Sequence, residues 1–341
     1  MNDALPEWWP TDPAEQRSCA ELGEDAVIAA IRAISPSDAN GNDAAAISLA
    51  QGVVGTDMSV EGRHFLRTYS RPFEVGAKVT VQNLADIVAM GAKPTAITLA
   101  LGVPGSTPIG VVKDIVRGID SVLRPHNISL IGGDLTQSPQ IVLSITAMGK
   151  LVDKPIGFNA GISGPGYFII NGNLGHSAAG LALLAKGVKC GHVDGVLDDG
   201  RSYADGSFDR LIALHRCPSL DMNAGVNAAR AGARALTDCS DGFMKDAGTL
   251  ARASGVSIYL DEEQYPLIDE ALRVAANYLG ESPYDWILNG GEDHALLGII
   301  GDTQPLPEGY RIIGTTRPSV EPGIYLNGEA ITSNHCWESF S

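Results

Sequence analysis

Basic residues are scarce in this sequence. Lys and Arg total 24 against 40 Asp and Glu, which gives a formal net charge of −16 at pH 7. A surface of that sign repels the phosphates of nucleic acids and the headgroups of anionic lipids. We therefore expect neither a nucleic acid nor a membrane among the partners. If the protein handles phosphate compounds, a cation must lie between the like charges, and a divalent metal ion is the obvious candidate.

Cysteines and long apolar runs are also few. The 5 cysteines are widely spaced and form no C-x-x-C pair, which excludes an evident disulfide framework or zinc site. No apolar run reaches the roughly 18 residues that a membrane helix requires. The N-terminal sequence MNDALPEWWPTDPAEQ lacks the basic and apolar regions of a signal peptide. We expect a cytoplasmic protein with reduced thiols.

Several common catalytic motifs are missing as well. The sequence has no G-x-x-x-x-G-K-[ST] loop and no G-x-G-x-x-G turn that opens a helix after a strand. It also lacks a G-x-S-x-G elbow and an H-E-x-x-H pair. P-loop and Rossmann nucleotide binding, serine-hydrolase chemistry and zinc-protease chemistry are therefore disfavoured.

The length of 341 residues predicts about two domains. Residues 1–18 are rich in proline, tryptophan and acids, and we expect a loosely ordered extension there. Residues 19–152 predict an N-terminal domain and residues 153–341, which open with a Gly- and Pro-rich connector, a second one. In both, β-type runs alternate with helical patterns, which is typical of an α/β fold. The predicted helices cover residues 20–34, 75–91, 109–125, 176–186, 222–231, 243–253 and 267–279.

An aspartate recurs beside β-type runs, usually at the end of the run and often next to glycine. The examples are Asp43 in GNDAAAI, Asp57 after QGVVGT, Asp134 after ISLIGG, and Asp238 with Asp241 in TDCSDG. Strand ends in an α/β domain meet at one edge, where carboxylates would repel one another without cations between them. The pattern predicts a multi-metal, phosphate-handling site. The alternative is that each aspartate merely caps a helix or supports a turn.

The sequence resembles the thiamine-monophosphate kinase family in motifs that occur in the same order and at similar spacing. These are GNDAAAI, TDMSVEGRHF, VQNLADIVAMGAKP, GGDLT, LGHSAAGL, TDCSDG and GGED, within residues 20–340. The superfamily also contains aminoimidazole ribonucleotide synthetase, selenophosphate synthetase and a hydrogenase-maturation dehydratase. The resemblance implies a two-domain aminoimidazole ribonucleotide synthetase-like fold of α/β class with mixed α+β sheets. It also implies N-terminal sheets that pair across a homodimer.

The resemblance further implies a reaction, the transfer of the γ-phosphate of ATP to thiamine monophosphate, which is the last step of thiamine diphosphate synthesis. The acceptor is already an ionised phosphate oxygen, so no general base and no catalytic side chain of that kind is expected. Catalysis should rest on in-line positioning and on several Mg²⁺ ions that neutralise the crowded phosphates. The expected partners are ATP and thiamine monophosphate.

Residue roles are carried over position by position from the family motifs. The implied metal ligands are Asp43, Gly55, Thr56, Asp57, Asp86, Asp134, Asp238 and Asp241. The implied ATP contacts are Gly133, Asp134, Ser240 and Asn159, and the implied substrate contacts are His64, Glu292 and Trp337. Two further features have two interpretations each. Lys78 contacts phosphate or is a solvated helix lysine, and Gly175 with Ser177 binds an anion or is a plain helix start.

Three positions depart from the family pattern. Asn42 replaces an aspartate in the first motif, Asn159 stands where the connector usually has an arginine that contacts ATP, and His294 stands where tyrosine is frequent. Loss of the guanidinium removes a charge-assisted phosphate contact. Two alternatives to the kinase remain open: another ATP-using enzyme of the superfamily, or a nucleotide-binding regulatory protein that has lost turnover.

Overall fold

The computed structural model describes residues 12–34, 52–152, 156, 162–189, 208–260 and 268–331. These residues fall into two compact units. The first unit lies within Met1–Asn83 and Pro94–Gly149, and the second within Leu84–Lys93, Lys150–Gly191 and Leu197–Ser341. Most of the predicted N-terminal extension lies outside the described residues.

The first unit is built on a four-stranded sheet with the order β1-β4-β2-β3. Its strands are β1 Gly52–Val60, β2 Ala92–Val103, β3 Ser129–Gln137 and β4 Val142–Leu151. Its helices are α1 Cys19–Leu22, α2 Glu24–Ile34, α3 Pro72–Ala89 and α4 Ile109–Leu123, and a 3-10 turn, Arg124–His126, follows α4. The last residues of α3 and the first of β2 belong to the second unit.

The helix predicted over residues 20–34 is divided in two at Gly23, which has φ +79°. Ser18 begins α1 with a capping box. Its Oγ accepts a hydrogen bond from Glu21 N (3.2 Å), and its own N–H donates to Glu21 Oε2 (2.9 Å). The left-handed glycine then ends α1 and allows the chain to restart as α2.

Helices α3 and α4 approach each other through reciprocal glycines. A Cβ on Gly76 of α3 would overlap the carbonyl of Ile115, and a Cβ on Gly118 of α4 would overlap the carbonyl of Phe73. The buried face of α4 includes Ile119, which is 0% exposed. This packing fixes α3, which contains several of the polar side chains described below.

The second unit contains a seven-stranded sheet with the order β11-β10-β7-β9-β5-β8-β6. Its strands are β5 Gly166–Asn171, β6 Ala235–Cys239, β7 Val256–Leu260, β8 Ala295–Gly301, β9 Arg311–Pro318, β10 Ile324–Leu326 and β11 Glu329–Ala330. Its helices are α5 His176–Ala185, α6 Phe208–Arg216, α7 Ala224–Ala231, α8 Phe243–Ser254, α9 Glu270–Leu279 and α10 Pro283–Asn289. Phe168 of β5 and Phe243 of α8 meet edge to face in the core, with ring centroids 6.1 Å apart.

The predicted α/β class with mixed sheets is confirmed, but strand directions differ from those the aspartate argument assumed. In the second sheet β5 is antiparallel to β8 and β9, and β6 is antiparallel to β8. The carboxyl ends of these strands therefore do not converge on one edge. In the first unit Asp57 and Asp134 lie inside β1 and β3 rather than at their ends. In the described part of the chain no helix is long and apolar enough to cross a membrane.

Candidate active site

Asp57 is held by two amide side chains of α3. Its backbone N–H donates to Asn83 Oδ1 (2.9 Å), and Gln82 Nε2 donates to the Asp57 carboxylate (3.3 Å to Oδ2). Asn83 is buried and its amide nitrogen donates to Val79 O (2.8 Å), so its oxygen is fixed toward β1. The half-buried carboxylate of Asp57 is therefore positioned by neutral groups.

Thr56, the residue before Asp57 on β1, uses its side chain for hydrogen bonds within the sheet. Thr56 Oγ1 donates to Ile145 O (3.0 Å) and accepts from Thr146 Oγ1 (3.1 Å), both on β4. That hydroxyl stabilises the sheet. Any metal ligation by Thr56, or by Gly55 beside it, is consequently expected from backbone carbonyl oxygens.

His64 closes a short turn at the end of β1. The ring Nδ1 of His64 accepts a hydrogen bond from Val60 N (3.1 Å), and the backbone N–H of His64 donates to Val60 O (3.0 Å). Because Nδ1 is the acceptor, the neutral ring has its proton on Nε2. The turn holds the half-buried imidazole in one orientation, so a structural role and the predicted substrate contact are compatible.

Gly133 and Asp134 lie on β3, the last strand in the order of the first sheet. Asp134 pairs with Ala100 of β2 and is exposed. A Cβ at Gly133 would overlap the carbonyl of Leu99, so the close approach of β2 requires glycine there. The packing of β2 thus requires a glycine at position 133, independently of the predicted contact with ATP.

Helix α3 also contains Lys78 and Asp86. Lys78 is only 4% exposed and Glu74, one turn before it, is 0% exposed. The interpretation of Lys78 as a solvated helix lysine is therefore wrong. Asp86 is half-buried and lies one turn after Gln82.

In the second unit the GGED motif forms a strained segment against the loop that follows β6. Glu292 and His294 have φ +63° and +53°, which is rare for residues with a side chain. Two backbone hydrogen bonds hold them, from Glu292 N to Ser240 O (2.8 Å) and from His294 N to Cys239 O (2.9 Å). A Cβ at Gly291 would overlap the Ser240 carbonyl. Strain maintained this firmly is typical of functional sites.

Asp293, between these two residues, caps helix α5. Its carboxylate accepts hydrogen bonds from Gly175 N (2.6 Å) and Ser177 N (2.8 Å). Burial raises the pKa of Asp293 to about 6, against the opposing effect of these hydrogen bonds and of His176 and His294. The helix start at Gly175 and Ser177 therefore contacts an anion, but that anion is the protein's own Asp293.

Asp238 is 7% exposed, and His294 Nδ1 lies 3.2 Å from its Oδ2. Asp241 forms an ion pair with Lys245 (2.9 Å). Asp246 of α8 was not predicted as a site residue, and its Oδ2 accepts hydrogen bonds from Asp241 N (2.9 Å) and Gly242 N (3.2 Å). Burial, with the repulsion of Asp238 and Asp241, raises the pKa of Asp246 to about 7 despite these hydrogen bonds. An acid in the first turn of a predicted helix was the available signal.

The predicted metal ligands are not gathered into one ready-made cluster in the part of the chain that the structure describes. Among those residues no group of three or more His, Cys, Asp or Glu side chains is arranged to hold a metal ion. Asp43, Asn159 and Trp337 lie outside the described residues, as does Asn42. The donors that are described are carboxylate and carbonyl oxygens, which suit Mg²⁺.

A cleft of about 420 Å³ is present in the second unit, away from these positions. Charged residues of both signs line it, among them Lys93, Asp221, Arg230 and Glu308. None of the predicted site residues does so. The cleft therefore does not account for the predicted ATP or substrate positions.

Comparison with known proteins decides the family. The model for the AIR synthase related protein, N-terminal domain, matches residues 41–151. Thiamine-monophosphate kinase from Corynebacterium glutamicum is 38% identical over 327 residues, which cover 94% of this chain and 94% of that protein. The chain belongs to the thiamine-monophosphate kinase family.

Two further relatives agree with this thiamine-monophosphate kinase assignment. The thiamine-monophosphate kinase of Mycobacterium tuberculosis is 36% identical over 302 residues, covering 88% of this chain and 85% of that protein. A solved structure of AaThiL complexed with AMPPCP and TMP matches with a TM-score of 0.73 at 27% identity, covering 94% of this chain and 98% of that one. The family that the motifs predicted is confirmed.

Proposed function

We propose that the chain transfers the γ-phosphoryl group of ATP directly to the phosphate of thiamine monophosphate, giving thiamine diphosphate and ADP. The observation that carries this proposal is the identity of 38% to a thiamine-monophosphate kinase over 94% of both chains. The relative whose structure holds AMPPCP and TMP supports both substrates. One oxygen of the acceptor phosphate forms the new P–O bond, and the bond between the γ-phosphorus and the bridging oxygen to the β-phosphate breaks.

The proposal assigns this chain's residues to positioning and charge. Bound Mg²⁺, more than one ion, would supply neutralisation of the phosphate oxygens. The oxygens proposed to hold the ions belong to Asp43, Gly55, Thr56, Asp57, Asp86, Asp134, Asp238 and Asp241. A set made only of carboxylate and carbonyl oxygens fits Mg²⁺ and disfavours softer metals.

The remaining residues bind the two substrates. Gly133, Ser240 and Asn159 are proposed to contact ATP, and His64 and Trp337 to contact thiamine monophosphate. Glu292 is proposed to face the cationic thiazolium ring. The side chain of Glu292 is one-third exposed, so its carboxylate is available to a ligand. The backbone of Glu292 is held by its hydrogen bond to the Ser240 carbonyl. Because the reaction consumes ATP, we place it in the cytoplasm.

A homodimer is part of the proposal and has its own support. Val54 and Met58 lie on the same face of β1 and are 63% and 57% exposed. Apolar side chains of this size on a sheet face are typical of a surface that another protein covers. We expect sedimentation analysis to give a dimer, and Val54→Glu with Met58→Glu to give a monomer. A monomeric unmodified protein would contradict this part alone.

The reaction is tested by incubating the protein with ATP, Mg²⁺ and thiamine monophosphate and measuring thiamine diphosphate by fluorescence after oxidation. We expect product that disappears when EDTA is added. Tight ATP binding without product would favour the regulatory alternative, which Asn42 and Asn159 motivate. In that case the double variant Asn42→Asp with Asn159→Arg is the matched test, because it restores the family residues at both positions.

A further inference from the structure

We propose that His215 is a positioning residue for Glu292 and thereby sets the affinity of the active site for the thiamine group. This inference rests on the proposed function, since it takes Glu292 as a substrate contact. His215 lies on α6, is 6% exposed, and was not singled out by any sequence motif.

One nitrogen of His215 faces two oxygens. Its Nδ1 lies 3.1 Å from Ser177 Oγ, a hydrogen-bond distance, and 3.9 Å from Glu292 Oε2. The longer separation exceeds a hydrogen bond, so His215 acts on Glu292 through its dipole and by occupying the space beside the carboxylate.

His215 is itself fixed by the packing of its helix. Gly180 of α5 lies against α6, where a Cβ would overlap the carbonyl of Leu211 and come within 2.9 Å of the His215 Cβ. Ser177, the hydrogen-bond partner of His215, is held through its own N–H by Asp293 (2.8 Å). The imidazole is thus held by the close packing of α6 on α5 and by a hydrogen-bonded Ser177, and a positioning group requires such support.

Glu292 can respond to His215 only through its side chain. Its backbone has φ +63° and is tied to Ser240 O, and Gly291 before it has no room for a Cβ. With the backbone fixed, the direction of the carboxylate depends on its side-chain neighbours. A smaller apolar residue at position 215 would leave Glu292 free to rotate away from a bound cationic ring.

The test compares His215→Leu, which removes the polar nitrogen, with His215→Asn, whose amide nitrogen occupies nearly the position of Nδ1. We expect His215→Leu to raise the KM for thiamine monophosphate about 5- to 10-fold, while kcat and the KM for ATP stay within about twofold. His215→Asn should recover most of this loss. Ser177→Ala should produce a smaller rise of the same kind.

A double-mutant cycle with Glu292→Gln separates positioning from a structural role. If His215 acts through Glu292, His215→Leu has little further effect on the KM in the Glu292→Gln background. The control is His176→Asn, another buried histidine of the same unit, which contacts Asp269 (2.9 Å) and should lower the melting temperature without changing the KM ratio of the two substrates.

Additive effects of His215→Leu and Glu292→Gln on the KM for thiamine monophosphate would overturn the inference while leaving the proposed function intact. Equal rises in the KM for ATP and the KM for thiamine monophosphate would do the same. Failure of the unmodified protein to form any thiamine diphosphate contradicts the proposed function and the inference with it. If His215→Leu does not fold, the cycle is run with Ser177→Ala, whose rise in the KM for thiamine monophosphate should disappear in the Glu292→Gln background.

Discussion

Asp57 in the first unit and Asp238 in the second are held by opposite means. Asp57 lies within a regular strand, and neutral amides of α3 orient it. Asp238 also lies within a strand, β6, but it is nearly buried beside the imidazole of His294, a residue with a strained backbone. The hydrogen-bond partners described for Asp57 are therefore neutral amides, whereas Asp238 lies beside an ionisable imidazole. Acidity should therefore change the second unit more than the first.

The largest expected effect is at Asp57. Asp57→Asn keeps the shape of the side chain but removes the charge proposed to face the metal, so turnover should fall by at least about 100-fold. Thiamine diphosphate formation at saturating ATP measures this. Asp114→Asn, at a half-buried acid of α4 that forms an ion pair with Arg117 (2.6 Å), is the matched control and should retain normal turnover. Near-normal turnover of Asp57→Asn would contradict the assignment of Asp57 as a metal ligand.

A smaller effect is expected from Gln82, which orients Asp57 without being a proposed ligand. Gln82→Leu removes the donor at 3.3 Å and should raise the KM for Mg²⁺ about 3- to 10-fold. Binding of Mn²⁺, followed by its paramagnetic signal, should weaken by a similar factor. Gln140→Leu, at an exposed glutamine of the same unit, should change neither value. An unchanged Mn²⁺ affinity in Gln82→Leu would show that Asp57 needs no support from Gln82.

The pH dependence of the second unit sharpens the comparison. Burial raises the pKa of Asp246 to about 7 in the folded protein, above the 3.8 that is usual for an aspartate. The folded state therefore binds the proton more tightly than the unfolded state, and metal-free stability should fall as pH rises from about 4 to about 7. Asp246→Asn should flatten this decline and raise the melting temperature at pH 8 by a few degrees, about 2–4 °C.

Calorimetry in EDTA across this pH range provides the measurement. Asp302→Asn, at an exposed acid of the same unit, should leave the pH dependence as it is. A decline that is identical in Asp246→Asn and the unmodified protein would mean that Asp246 is not the group responsible.

The smallest effect is expected at Thr56, whose hydroxyl bonds β4. Thr56→Val should cost about 1 kcal/mol of stability, because the Ile145 carbonyl loses a donor, and should change turnover less than about twofold. Chemical denaturation and the product assay give the two values. A loss of turnover comparable to that of Asp57→Asn would show that the Thr56 side chain takes part in the chemistry.

Much of the fold could be predicted from local sequence patterns. The predicted helix over 243–253 is α8, Phe243–Ser254, and the one over 109–125 is α4, Ile109–Leu123. Helices α6 and α10, of 9 and 7 residues, were not predicted. Strand β9 was not predicted because its apolar run, Ile312 and Ile313, is only two residues long. Its Gly314 is needed where a Cβ would overlap the Tyr259 carbonyl.

The site was predictable only in part. The motifs led to the family, and they name Glu292 and Asp238, but the contacts of these residues depend on long-range packing. Asp293 caps Gly175, which is 118 residues away in the chain, and no local pattern indicates such a pairing. Likewise His215 reaches Ser177 across 38 residues only because α5 and α6 pack closely. The direction of each strand in a sheet also depends on long-range packing. For that reason the sequence could not show that the strand ends of the second sheet do not converge on one edge.

The central claim is direct transfer of the γ-phosphoryl group to thiamine monophosphate. The most direct measurement supplies ATP labelled at the γ-phosphorus, with Mg²⁺ and thiamine monophosphate, and follows the label by chromatography. We predict one label in the terminal phosphate of thiamine diphosphate for each ADP formed, with none released as inorganic phosphate. Label released only as inorganic phosphate, or retained in ATP while thiamine monophosphate is unchanged, would contradict the account.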